Sequence, residues 1–235
     1  MVGPTNPFDG EGLEHGTEQE DRSGLRAAIL AAARELFNEQ GYEATTMRKI
    51  AEHIGYSATA IYRHFPDKHS ILTELCHSDF AALGASFASV MAEPDPVKRM
   101  ALLGKGYIDF GLRFPNHYRL MFMTRKVAAP LPLSQETSGK FVRKGDPSSD
   151  AYAALIHTVR EVMATGILRP ELTDPEAVAQ ILWACLHGLV SLYLDHCNDE
   201  WVDWRSIQLL TDETLKMTMI GLAHPAGQEK LKVIL

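Results

Sequence analysis

The sequence predicts an all-α protein in which a small N-terminal three-helix domain with a helix-turn-helix precedes a larger helical body. Three observations lead there. Apolar residues recur at three- and four-residue spacing through most of the chain, and no stretch of strand length alternates with period two apart from the weak end KLKVIL. Glycine, proline and capping residues break that pattern at helix-length intervals. Residues 45–68, TTMRKIAEHIGYSATAIYRHFPDK, set two short helical patterns on either side of a glycine turn.

The elements follow in order. Residues 1–22 carry six acids against Arg22 alone, about −5 in a chain of net charge −7, with few large apolar groups. Such a segment cannot repay its ordering entropy, and a disordered acidic tail is expected. From Ser23 a first helix places Leu25, Ile29, Ala32, Ala33, Leu36 and Phe37 on one stripe, and Gly41 suits the left-handed position beyond its end. Thr46 caps a short second helix ended by Gly55, and Ser57 caps a third, ATAIYRHF, which Pro66 stops. Asp67 caps a longer helix from about Lys68 to Met91.

EPDP (93–96) is a break, after which Val97–Phe114 reads as a helix and Pro115 starts another short one. Residues 124–148, rich in Gly, Pro, Ser and Thr, read as a long loop. Helices resume over 149–166, 175–197 and 204–223. The domains expected are a tail (1–22), a helix-turn-helix domain (23–69), a ligand-sensing and dimerisation domain (70–224) and a C-terminal tail (225–235).

A hydrophobic share of 46% with 23% charged residues is that of a soluble globular chain. Cys76, Cys185 and Cys197 show no Cys-x-x-Cys spacing, which suits a reducing compartment. The N-terminus lacks the pattern of a secretory signal. The most apolar run, ILWACLHGLVSLYL (181–194), has 14 residues and falls short of the ~20 a bilayer span requires. A cytoplasmic protein with no membrane partner is expected.

The 45–68 segment meets the requirements of a DNA reader one by one. Small Ala51 lets the paired helices approach, Gly55 makes the turn, and Ile50, Ile54 and Ile61 point inward. The N-terminal end of the second helix is then free to enter a major groove about 12 Å wide. Thr46 stands at a helix N-terminus that favours a phosphate, and Lys68 with the amides after Asp67 offers a second such place. Tyr62, Arg63 and His64 form a basic-aromatic ridge, and Arg48 can reach guanine or a backbone oxygen. Ala58, Thr59 and Ala60 are small enough to sit against thymine methyls. A plain surface hairpin is the alternative, but caps, Ala51, Gly55 and isoleucines all agree with the reader.

Residues 26–72, RAAILAAARELFNEQGYEATTMRKIAEHIGYSATAIYRHFPDKHSIL, resemble the N-terminal domain of the TetR family of bacterial transcriptional regulators. The resemblance runs through Leu36–Phe37, Gly41–Tyr42, Thr45–Thr46, Ile50–Ala51, Gly55, Ser57, Ile61 to Phe65 and Lys68. It implies that Thr46, Tyr62, His64 and Lys68 contact phosphate and that Arg48, Ala58 and Thr59 face bases. Position 58 is alanine where many relatives carry a longer polar residue, so readout would lean on Arg48, Thr59 and Tyr56.

In the body, YIDFGLRFPNHYRLMF and LWACLHGLVSLYL look like the C-terminal subgroup marked by Trp, His and Gly, here Trp183, His187 and Gly188. That likeness implies a ligand pocket and a dimer built by the last two helices. The 181–194 helix is apolar on every face, which by itself asks for burial on both sides. Leu182, Leu186, Leu189, Tyr193, Leu210 and Met217 are the expected dimer contacts. Tyr107, Phe110, Phe114, Tyr118, Met121, Phe122, His157, Trp183 and His187 are the expected pocket lining, suited to a small hydrophobic or aromatic effector. No catalytic motif occurs, so no enzyme is expected, and neither a cofactor nor a metal. The expected function is a homodimeric, sequence-specific regulator on a near-palindromic double-stranded operator, most naturally a repressor. A regulator without a ligand, or an interaction module that no longer binds DNA, are the alternatives.

Overall fold

The computed structural model describes residues 14–124 and 144–234, with side chains over 23–124 and 144–232. Among the described residues the regular elements are all helices, apart from one isolated bridge pair, Leu168 with Ala223. Two compact units divide within the fourth helix, Met1–Leu72 and Thr73–Leu235.

In the first unit, α1 (Glu14–Gln40) buries Ile29, Ala32, Ala33, Leu36 and Phe37, the stripe expected from spacing. It begins nine residues before Ser23, so the inner end of the acidic tail is helical and the expected boundary is corrected. Glu and Gln, frequent in this stretch, are good helix formers. The remainder of the tail lies outside the described residues. Gly41 then takes φ 83°, where a side chain would be strained, and turns the chain back. The buried Thr45 hydroxyl donates to the carbonyl of Gly41 (2.9 Å), closing that end.

Helices α2 (Met47–His53) and α3 (Ala58–Tyr62) form the helix-turn-helix. The Thr46 hydroxyl accepts from the Lys49 amide at 3.2 Å and the Ser57 hydroxyl from the Ala60 amide at 3.3 Å. Each cap is worth about 1 kcal/mol. Gly55 at φ 74° makes the turn, and Ala51, Ile50 and Ile61 are buried where the pair meets. Ile54 is half-buried rather than fully inward. α3 stops at Tyr62, three residues short of expectation, because the chain tightens into turns before Pro66.

α4 (Lys68–Ser86) opens with the Ser70 amide donating to Asp67 Oδ1 at 2.7 Å. It ends before the expected Met91, and a single 3₁₀ turn, Val90–Ala92, follows. In the second unit α5 (Pro96–Arg113) is capped by Asp95. α6 (Pro115–Tyr118) runs into a π turn, Arg119–Met123. The long loop expected at 124–148 lies mostly outside the described residues. Past it come α7 (Ala151–Ala164), α8 (Pro175–His196) and α9 (Ile207–Leu222).

The C-terminal tail expected at 225–235 is instead a helix, α10 (Pro225–Ile234), which packs on α9 and buries Leu231. Its apolar residues are spaced for one helical face, and Pro225 at the first position pre-sets the turn. α8 spans 22 residues, more than the apolar run within it, and by length and composition it could cross a membrane. Here Val178, Ala179, Leu182, Leu186 and Val190 are buried in the protein's own core. α5 lies against α7, α8 and α9, so the core of this unit is a bundle around α5 and α8.

Candidate functional site

The first unit presents the candidate nucleic-acid face. Tyr56 and Tyr62 are about half exposed, at 51% and 54%, an unusual state for tyrosines on a small domain with a formed core. Thr46, Arg48, Ser57, Thr59 and Arg63 are exposed beside them, and Ala58 and His64 are half-buried. Ile61, fully buried, anchors α3 from behind this outward surface. Arg48 Nε donates to Glu52 Oε1 at 2.7 Å in an exposed i,i+4 pair. Such a pair is weak and screened by salt, so a base or phosphate can displace it. His64 is fixed from its backbone, whose carbonyl accepts from Arg26 at 3.0 Å while that guanidinium stacks on Phe65 (4.2 Å).

Lys68 departs from its expected role. Its ammonium donates to the carbonyls of Tyr42 (2.8 Å), Thr45 (3.1 Å) and Glu43 (3.3 Å), and lies 4.3 Å from the centre of the Tyr42 ring. A lysine has three donors, and all three are taken up. The side chain is therefore a clasp that ties the start of α4 to the α1–α2 turn. The first amides of α4 remain the element there suited to an anion.

The second unit holds a cavity of about 700 Å³ that is partly open to solvent. Its wall includes Phe80, Leu83 and Phe87 from α4, Met100, Leu103 and Tyr107 from α5, and Met121, Phe122 and Thr124. Tyr152 and Leu155 from α7, Leu182, Trp183, Leu186 and His187 from α8, and Leu215 and Met219 from α9 complete it. Five of the nine expected lining residues are present: Tyr107, Met121, Phe122, Trp183 and His187. Four are not. Phe110 is buried in the core, Phe114 is partly exposed and packs on Phe110, and exposed His157 pairs with Glu161 at 3.5 Å. Tyr118, fully buried, stands behind the wall and touches it through hydrogen bonds. The α4 contribution was visible as an apolar stripe, but spacing does not reveal what a stripe packs against.

Trp183, Tyr107 and His187 of the wall are joined through Tyr118 into one chain. Trp183 Nε1 donates to the Tyr107 hydroxyl (3.0 Å), which meets the Tyr118 hydroxyl (2.8 Å), which meets His187 Nδ1 (2.6 Å). Tryptophan only donates, so one consistent sense satisfies every hydrogen: Trp183 to Tyr107, Tyr107 to Tyr118, Tyr118 to His187. Burial pushes the Tyr107 phenol up to about 12 and raises Tyr118 as well, so both stay protonated. Burial also lowers the His187 imidazole below its ordinary value, which favours the neutral ring.

A third feature is an apolar stripe on α8 and α9. Ile181, Leu192, Leu209 and Met217 are exposed, Met217 by 71%. Leu182 and Leu186, expected in the dimer contact, are buried within the protomer at 4% and 7% and line the cavity. Their face of α8 points inward, which displaces the outward stripe by one residue. Leu189, Tyr193 and Leu210 are half-buried at its margins.

An all-α chain with a capped helix-turn-helix on one unit and an apolar cavity in a separate helical unit defines a DNA-binding regulator of the two-domain helical class. Two family models match it: "Bacterial regulatory proteins, tetR family" over residues 29–75 and "Tetracyclin repressor-like, C-terminal domain" over residues 100–200. The chain belongs to the TetR family of bacterial transcriptional regulators.

Among curated relatives, the transcriptional repressor AcnR of Corynebacterium diphtheriae is 40% identical over 75 residues, 32% of this chain and 37% of that protein. The AcnR repressor of Corynebacterium glutamicum is 27% identical over 161 residues, 61% of this chain and 79% of that protein. The fatty acid degradation regulator FadR of Bacillus halodurans shares the fold, with a TM-score of 0.63 at 18% identity, covering 85% of this chain and 96% of its own.

Proposed function

We propose that this protein is a homodimeric repressor that reads a near-palindromic operator through α3 and leaves it when a small apolar molecule fills the cavity. The observation that carries the ligand half is the cavity itself: about 700 Å³ walled almost wholly by apolar and aromatic side chains. A void of that size left empty forfeits packing contacts, which a ligand restores. The repressor half is supported by the function named for the AcnR relatives. Base contacts fall to Arg48, Tyr56, Ala58 and Thr59. Phosphate contacts fall to Thr46, Tyr62, Arg63, His64 and the first amides of α4. Ser57 sets the angle of the reading helix.

The dimer is assigned to the exposed stripe of Ile181, Leu192, Leu209 and Met217, with Leu189, Tyr193 and Leu210 at its edge. A second copy covering it would place two α3 helices for half-sites one DNA turn, ~34–36 Å, apart or a multiple of it. Likeness to the Trp-His-Gly subgroup is retained here, supported by Trp183 and His187 standing on one wall. The helix-turn-helix domain is taken as residues 23–69 and the sensing domain as 70–224, with α10 added to the latter. A cytoplasmic location follows from the proposed work on DNA. α4 begins beside the reading unit and supplies Phe80 and Leu83 to the cavity, so a ligand that favours one seating of α4 shifts the populations of DNA-competent and incompetent states.

The test is a gel shift of the purified dimer with DNA flanking its gene, repeated with compounds that raise its melting temperature. Binding that such compounds abolish is expected. A dimer that binds no such fragment at low salt sinks the repressor reading, and binding that no stabilising compound alters leaves a regulator without a ligand.

A further inference from the structure

The cavity wall has an uneven chemistry. Among its described residues there is no Asp, Glu, Lys or Arg, so a charged group placed inside would meet no counter-ion among them. An unpaired buried charge is costly, far more so than an unpaired neutral dipole. The wall's polar hydrogens are almost all committed already. Trp183, Tyr107 and Tyr118 are used within their own chain. The Thr124 hydroxyl donates to the Arg119 carbonyl at 3.2 Å, and that of Tyr152 to Glu176 Oε2 at 3.0 Å.

His187 is the place where the chain ends. Its Nδ1 receives the Tyr118 hydroxyl from behind the wall, so the neutral ring carries its proton on Nε2. The two ring nitrogens point in divergent directions, and Nε2 meets no hydrogen-bonding partner among the described residues. The reverse sense, with Nδ1 donating to Tyr118, would leave the Tyr107 hydroxyl hydrogen without an acceptor, so the hydrogen-bond balance favours a donor at Nε2. A donor with no protein partner on an apolar wall is where a ligand acceptor can be met, through a hydrogen bond worth about 0.5–1.5 kcal/mol.

Resting on the sensor reading above, the geometry points to a specific ligand class: an apolar molecule carrying one uncharged hydrogen-bond acceptor, a ketone or ester carbonyl, seated on His187 Nε2–H. A carboxylate in that seat could also accept from Nε2–H, but would bring a full charge against a described wall that holds no Lys or Arg. An alkane would fill the void and leave the donor unmet.

The experiment uses the full-length protein at pH 7.5 with three probes of equal chain length: 2-nonanone, nonane and nonanoic acid. Binding is read by melting temperature and by quenching of tryptophan fluorescence. The ketone is expected to bind about tenfold tighter than the alkane, the worth of one hydrogen bond, and tighter than the acid. His187→Leu should erase the ketone's advantage over nonane, and His187→Gln, which keeps a side-chain N–H donor, should restore part of it. Equal binding of ketone and alkane, tighter binding of the acid, or an advantage that survives in His187→Leu would each overturn the assignment while leaving the sensor reading intact. Failure of all three probes to bind the wild-type protein would sink the sensor reading itself, and this one with it. The wild-type series decides the matter even if His187→Leu does not fold.

Discussion

The reading face and the cavity are opposite kinds of site. The face is drawn from one continuous stretch, residues 46–68, and its polar groups look outward to solvent. The cavity draws on residues from Phe80 to Met219, and its polar groups are turned on one another. One is built by local rules, caps and a glycine turn, with a core of isoleucines behind. The other is built by packing between helices far apart in sequence. A change on the face should therefore alter partners and leave the fold standing, whereas a change at the cavity should disturb both.

The largest expected effect tests this on neighbouring residues of α8. Leu182→Ala removes a side chain buried at 4% and should cost about 2–5 kcal/mol, toward the lower end because Leu182 already borders a void. Ile181→Glu changes an exposed residue and should leave the protomer's core intact while converting dimer to monomer in sedimentation. If Leu182→Ala proves neutral and Ile181→Glu unfolds the protein, the assignment of the two faces of α8 is reversed.

Next comes Lys68, the residue that crosses the comparison. It lies at the edge of the reading face but is spent on three carbonyls and one ring. Hydrogen bonds from a charged donor are worth about 1.5–3 kcal/mol, so Lys68→Ala should destabilise the first unit by about 2 kcal/mol in urea titration. Its effect on the salt dependence of DNA binding should be small. A fall of about one unit in the salt slope with unchanged stability would return Lys68 to the phosphates.

These two cases show what could be read from the chain and what could not. The caps at Thr46, Ser57 and Asp67 and the turns at Gly41 and Gly55 were legible because each is a local bargain between one side chain and the backbone beside it. Five cavity residues were legible because aromatic residues concentrate on the helices that line it. The inward face of α8 was not, since a helix apolar all round carries no mark of which side meets its own core. Lys68 was missed for the same reason: the Tyr42 and Thr45 carbonyls come to it only through the fold. α10 was hidden by its short apolar pattern, which fits a strand end as well as a helix.

A smaller effect is expected at Tyr62, on the face itself. Tyr62→Phe removes one hydroxyl from a ring that is 54% exposed and supports nothing behind it. DNA affinity should fall by up to about tenfold, alike on operator and unrelated sequence, with the melting temperature unmoved. A change in base preference would mean that Tyr62 reads sequence rather than backbone.

The smallest effect distinguishes the two regions by pH. Burial lowers the His187 imidazole, with the Tyr107 and Tyr118 hydroxyls as its facing groups. In the unfolded chain His187 titrates near the ordinary histidine value of about 6.5. Between the folded and unfolded values the unfolded chain binds more protons, so stability rises with pH across that window. The contribution is complete above the ordinary value and is lost as pH falls through the window beneath it. Thermal melts of wild type and His187→Gln from pH 8 to pH 5 should therefore differ in slope, the wild type losing more on acidification. Tyr62→Phe, on the other unit and away from His187, should leave that slope as it is. Parallel curves for wild type and His187→Gln would mean that His187 is hydrated rather than held against Tyr118, and the donor at the cavity wall would lose its fixed direction.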